Sequence, residues 1–315
     1  MQVEHSPTLT AETFPKTTTV QDARLNIDPT PYPGLYNKIP FGFTHNLHTL
    51  DIFQFDSMRE LADRFSSASS DVYFVAGNAP TPGSAFFSVS HDELKPNQAI
   101  ELLEKQPLRI LLKRPEEQDT RFLKLLDLLF QQILELRGGI DGQRVRRLES
   151  AILISSAATI TPIHFDPEVG FFSQIEGEKT YHAYAPKDVS EPDLERFYIR
   201  GAISIGRLDM EHRNPENEHV FDLRPGKGFH QPQNAPHWVE TRGTRSISYT
   251  CVFETDATRA QGRTRAFNHY QRKCGLTPAA PGMHPQFDRL KAEAMLPDLF
   301  ARKVARRVKN TFRSE

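Results

Sequence analysis

Cysteine is scarce: Cys251 and Cys274 are the only two in 315 residues. That is too few for a disulfide framework, and nothing in their spacing resembles a zinc knuckle, so reduced thiols in a cytoplasmic protein are expected. Long apolar runs are missing as well. No stretch approaches the ~20 residues of a membrane span, and the first twenty residues hold no basic segment leading into an apolar one. Nor does charge of one sign dominate, because 39 Lys and Arg against 40 Asp and Glu leave a net charge of −1. No global field then draws the chain to nucleic acid or to an anionic membrane, and a nucleic-acid partner would need a local patch. Glycine-rich phosphate loops (GxGxxG, GxxxxGK[ST]), a GxSxG elbow and internal repeats are all absent. Chemistry is left to histidine and carboxylate.

What is present is an ordinary globular composition, 38% hydrophobic and 25% charged with 22 Phe but one Trp, long enough for one large domain or a domain with an appended module. Residues 1–40, rich in Thr and Pro, read as an extended N-terminal arm. From 41 to 149 the pattern is mixed α/β. FDSMRELADRF and DELKPNQAIELLEK look helical, the second after an Asp cap; DVYFVAG and LRILLK look like strands. The clearest helix is 119–136, where Phe122, Leu125, Leu126, Leu129, Ile133 and Leu136 recur every three or four residues before Gly138-Gly139. Between 150 and 255 short β-branched and aromatic runs separated by Gly and Pro predict closely spaced strands, a sandwich or jelly roll. The connection 187–222 is expected to hold a helix near EPDLERFYI and to shape a site mouth. Residues 256–315 return to helix, ending in a basic amphipathic stretch with Arg302, Lys303, Arg306, Arg307 and Lys309.

Within this frame, TPIHFDP places His164 and Asp166 two apart, so on a strand both project from one face. His237, 73 residues on in NAPHWV, is a plausible third ligand at the start of another strand-like run. Two imidazoles and one carboxylate on one side of a metal leave three positions open, as in non-haem iron(II) oxygenases. A His-x-Asp pair alone is weak, since such spacing is common. The residues around it are more specific: a strand and a Gly turn lead from Phe171-Phe172 to Lys179, a lysine positioned to lie inside a barrel.

Thr161, His164, Asp166, Phe171, Phe172, Gln174, Ile175, Gly177 and Lys179 together resemble the T-x-x-H-x-D … F-F-x-Q-I-x-G-x-K pattern of the Jumonji C (JmjC) or cupin-like 2-oxoglutarate-dependent oxygenases. Within that family the pattern is most similar to the asparaginyl hydroxylase that inhibits hypoxia-inducible factor. The resemblance covers roughly 100–250 and is densest at 160–186 and 226–253. It implies a mainly β fold with flanking helices around a double-stranded β-helix (jelly-roll, cupin-like) core at 150–255. It also implies Fe(II) held by His164, Asp166 and His237, and 2-oxoglutarate held by Lys179 and Thr161 at its distal carboxylate, with Phe172 beside it. The implied reaction uses O2 to hydroxylate a protein side chain or a small metabolite. Gly170 departs from the pattern, standing where that hydroxylase has Asn.

Alternatives stay open from sequence. Arg245, eight residues after His237, is a rival carboxylate anchor, with Lys179 preferred for its place in the motif. The chain could be a cupin-type metal protein without 2-oxoglutarate chemistry, or a non-catalytic regulator. His182 should face away from Lys179 by strand parity, and His230 reads as a strand-end residue near the pocket. Trp238 and Tyr249 read as barrel packing. Segment 284–313 is a candidate homodimer element.

Overall fold

In the computed structural model residues 19–86, 89–199, 206–207 and 214–297 are described. The helix expected at 119–136 forms over Thr120–Glu135, capped by Asp119, whose carboxylate accepts from the Arg121 amide at 2.9 Å. Its apolar stripe is buried, and the chain turns at Gly138, where φ is +89° and a Cβ would meet Pro33 at 2.7 Å. The second expected helix is shorter than its sequence pattern. It spans Pro96–Leu102 and has Lys95, not Asp92, at the N-cap, because Pro96 suits the first helical position.

Strands β1 (Leu25–Asn26), β2 (Phe41–His45), β3 (Tyr73–Gly77), β4 (Leu108–Lys113), β5 (Val145–Ser155), β6 (Ile160–Phe165), β7 (Val169–Ala183), β8 (Gly206–Arg207), β9 (His219–Leu223), β10 (Lys227–Gln231) and β11 (His237–Thr255) form one hydrogen-bonded network. All their pairings are antiparallel. The main path runs β1-β2-β10-β7-β11-β5-β4-β3, with β6 on β11 and β9 on β7.

The long strands β7 and β11 pair along most of their lengths, and each serves two regions of the sheet. Near its start β11 also pairs with β6, and from Ser246 onward with β5. The corner lies at Gly177, with φ +71°, where a Cβ would stand 2.1 Å from the Arg245 carbonyl oxygen, and the register shifts between Arg242 and Ile247 opposite it. Only glycine fits there, and the bend wraps the sheet into a jelly roll. The fold is therefore mainly β with flanking helices.

Alternation along β11 separates two environments. Ile247, Tyr249, Cys251 and Phe253 enter the core under the helices Phe55–Ser66 and Thr120–Glu135, whereas Thr250 and Val252 face a cavity. Of residues 1–40, expected as an extended arm, 1–18 lie outside the described residues; 19–40 carry β1 and a helical turn at Tyr32–Leu35 and are anchored, with Tyr32 and Tyr36 buried against Phe41 and His230. A helix at Glu191–Tyr198 falls where EPDLERFYI suggested one. It is tied to the helix Asp256–Lys273 by the Arg265–Glu191 and Arg272–Glu195 ion pairs at 3.0 and 2.8 Å. The last described helix is Pro285–Ala294; Arg302, Lys303, Arg306, Arg307 and Lys309 lie outside the described residues. No described helix is long and apolar enough to cross a membrane, and both cysteines are free thiols.

Candidate metal centre

His164 near the end of β6 stands directly opposite His237 at the start of β11, their rings 4.0 Å apart between centroids. Asp166 follows one residue beyond β6. One donor atom from each of the three residues lies within 4.8 Å of the others, and they form the one such cluster among the described residues. His164 Nδ1 is 2.7 Å from the Pro162 carbonyl oxygen, and His237 Nδ1 is 3.0 Å from that of Ala235. A carbonyl only accepts, so each Nδ1 carries the proton and each Nε2 lone pair is left for a ligand. Burial holds both rings neutral, pulling His164 down to about 4 and His237 to about 3. The Gln231 amide donates to Asp166 Oδ2 at 3.0 Å and fixes that carboxylate. Two neutral imidazoles and one oriented carboxylate fit a divalent metal with open positions.

The cluster opens on a cavity of about 440 Å³, a size suited to a small organic ligand. Thr161, Phe172 and Lys179 line it together with the three metal-type side chains. Strand parity alone does not place Thr161 with His164, since they are three apart. A bulge opposite Trp238 absorbs the extra residue, setting Thr161 against Val239 and His164 against His237. Lys179 is 3% exposed, with its ammonium 5.8 Å from the centre of the Phe172 ring. Among the described residues no carboxylate pairs with it, and burial followed by the charge of Arg109 lowers it to about 7. A lysine buried in this way is costly to keep charged unless an anion completes it.

Arg245 is engaged elsewhere. Its guanidinium pairs with Glu176 at 2.7 Å and lies 3.5 Å over the Phe55 ring, away from the residues lining this cavity. His230 is fully buried, with Nδ1 on the Gly170 carbonyl at 3.0 Å and Nε2 accepting from the Asn37 amide at 3.0 Å. It packs among Tyr36, Phe41 and Phe171 and does not line the cavity. His182 stacks on Trp238 at 3.8 Å, and Tyr249 packs with Phe53 and Phe122. Opposite Gly170 sits Gln231, so an amide reaches Asp166 from the neighbouring strand.

Sequence reasoning missed several lining residues. Tyr181 stacks on His237 with ring centroids 5.3 Å apart, and its position two residues beyond Lys179 was a usable parity signal. The outer wall comes from β3, β4 and β5, through Phe74, Leu111, Arg147 and Glu149, and no described residue of 187–222 lines the cavity. At the mouth Arg147 pairs with Glu168, with Glu149 at 3.2 Å and with Glu254 at 3.8 Å. Burial and the nearby Asp166 and Glu254 charges push the Glu168 carboxyl upward against the pull of Arg147.

Fold and donor set define a jelly roll with a histidine–aspartate–histidine cluster that could hold a metal ion. No family model matches the chain, and no curated protein matches it. Among solved structures, the Escherichia coli ribosomal oxygenase YcfD in complex with cobalt and 2-oxoglutarate is similar at 17% identity, over 89% of this chain and 70% of that one, with a TM-score of 0.49. The same protein with cobalt and succinic acid gives 15% identity, 88% and 68% coverage and a TM-score of 0.46. The DMSP lyase DddQ from Ruegeria pomeroyi gives 14% identity, 34% and 38% coverage and a TM-score of 0.23. At these scores the likeness carries no functional weight, and the chain's own side chains must supply it.

Proposed function

We propose that this chain is a JmjC-like, Fe(II)- and 2-oxoglutarate-dependent oxygenase that hydroxylates a protein side chain or a small metabolite in the cytoplasm. The observation that carries the reading is the pairing of an open His164–Asp166–His237 donor set with a buried, unpartnered Lys179 in one cavity. The first is suited to a metal that keeps vacant positions; the second is suited to the far carboxylate of a chelating dicarboxylate.

In this assignment His164, Asp166 and His237 hold the iron, and Lys179 and Thr161 orient the co-substrate beside Phe172. Bound Fe(II) with 2-oxoglutarate and O2 supplies insertion of one oxygen atom into a substrate C–H bond, the second oxygen leaving in succinate as CO2 is released. The protein's own task is positioning. The backbone carbonyls of Pro162 and Ala235 set the imidazole tautomers, Gln231 aims Asp166, and Phe74, Phe86 and Leu111 exclude water. Neither a nucleophile nor an acid–base triad is required.

The test is succinate release from 2-oxoglutarate by iron-reconstituted protein in air. Succinate formed by the wild type and lost in His164→Ala supports the reading, and equal amounts from both overturn it.

A further inference from the structure

Charge is unevenly placed along the cavity. Lys113, Arg114, Arg147, Glu149 and Glu168 line its rim, and each is engaged there. Lys113 donates to the Asp71 carbonyl at 3.2 Å, Arg114 pairs with Glu117 at 3.0 Å, and Arg147 pairs with Glu168 and, at 3.2 Å, with Glu149. Apart from Asp166 in the donor cluster and Lys179 at the deep end, the remaining lining side chains among the described residues are uncharged.

Between rim and donor cluster runs a continuous apolar wall. The Phe86 ring lies 4.8 Å from the His164 ring and stacks on Phe74 at 6.0 Å. Phe74 stands opposite Leu111 across β3 and β4, and Leu111 opposite Leu153 across β4 and β5. Directly opposed residues share a face, so these three form one row that lines the cavity. On the Asp166 side the wall continues through Val252, which stands opposite Gly170; Gly170 in turn stands opposite Gln231, whose amide holds Asp166. The backbone does not require glycine at 170, because a Cβ there would make ordinary contacts, 3.5 Å from Gln231 Cβ and 3.7 Å from Val252 Cγ1. A glycine inside a strand weakens it, and what this one leaves is room between Val252 and Gln231.

We propose that the outer half of the cavity is a substrate subsite for an apolar side chain such as that of leucine, so that the bond hydroxylated is an unactivated aliphatic C–H. This rests on the proposed oxygenase reading and narrows its substrate. A charged or amide group lying along Phe86, Phe74, Leu111 and Leu153 loses its water with no hydrogen bond in return. An aliphatic group gains from the same transfer. The rim charges, paired with one another and half in solvent, are left to face the polar remainder of the substrate.

The experiment is anaerobic calorimetric titration of protein loaded with Fe(II) and 2-oxoglutarate, using acetylated pentapeptides in which two glycines flank leucine, asparagine or lysine on each side. Leucine and asparagine side chains have nearly the same shape, so that pair isolates polarity. The leucine peptide is expected to bind about tenfold more tightly than the other two, and to gain one oxygen atom by mass spectrometry once air is admitted. Leu153→Asn is expected to cut the preference to within about threefold. Val252→Asn should do the same from the Asp166 side, which keeps the test alive if one variant does not fold. Equal binding of the leucine and asparagine peptides, tighter binding of the lysine peptide, no binding of the leucine peptide, or a preference unchanged in both variants overturns the proposal. A wild type that holds Fe(II) but takes up no 2-oxoglutarate overturns the oxygenase reading beneath it, an outcome read before any peptide is added.

Discussion

At its mouth the cavity surrounds Arg147 with Glu149, Glu168 and Glu254, and Arg259 adds a second cation on Glu254 at 2.8 Å. At its deep end Lys179 meets no carboxylate among the described residues, and neither does Arg109, buried nearby but not among the lining residues. Both ends bury charge, but only the mouth completes its charges from within the chain. A satisfied network is a structural device that resists removal of any member. An unsatisfied pair of cations is held at a cost to the fold, and such a cost is typical of a place where a ligand does the completing.

The largest effect expected concerns the metal. His164→Ala or His237→Ala should weaken divalent-metal binding about a hundredfold or more, because each removes a donor outright. Metal stoichiometry after dialysis measures this directly. Lys179→Met and Arg147→Met then break the contrast between the two ends. Removing Arg147 strands Glu149 and Glu168, Glu254 keeping Arg259, and should destabilise the protein by about 3 kcal/mol, whereas replacing Lys179, which has no carboxylate partner among the described residues, with an apolar chain of similar length should be neutral or stabilising by about 1 kcal/mol. Denaturant unfolding of both variants reads the two signs.

The pH dependence of stability sharpens the same contrast. Lys179 titrates near 7 in the fold and near 10.5 when unfolded. Between those values the unfolded state binds the extra proton, so stability rises with pH across about 7 to 10.5 and is flat in this contribution below that window. The difference between wild type and Lys179→Met should follow this course, and a difference independent of pH would contradict the assignment. Smaller still is Gln231→Leu, which frees Asp166 and should cost about tenfold in metal affinity with little change in stability. Arg245→Ala should have the least effect on the site, costing about 1 kcal/mol through the lost Glu176 pair and Phe55 stacking, with co-substrate binding unchanged.

Much of the deep end was legible from sequence. A His-x-Asp pair on a strand fixes its own face, and the strand–glycine–strand run to Lys179 marks a reversal whose corner only Gly177 fits. Thr161 was legible only through the wider motif, since simple alternation puts it on the opposite face and the β6–β11 bulge is needed to bring it back. Arg109 escaped notice because LRILLK reads as one apolar strand whose charges belong outside, and nothing local reveals that β4 lies across the cavity from β7. The mouth escaped for the same reason. Its walls come from strand pairings between β3, β4 and β5, which local sequence does not reveal, while the composition of 187–222 suggested a site mouth there.

The most direct measurement is an anaerobic titration of metal-free protein with Fe(II) and then 2-oxoglutarate, following the visible metal-to-ligand charge-transfer band in wild type and Lys179→Ala. The account predicts a band in the wild type that needs much more 2-oxoglutarate to develop in the variant. Fe(II) binding with no band in the wild type would contradict it.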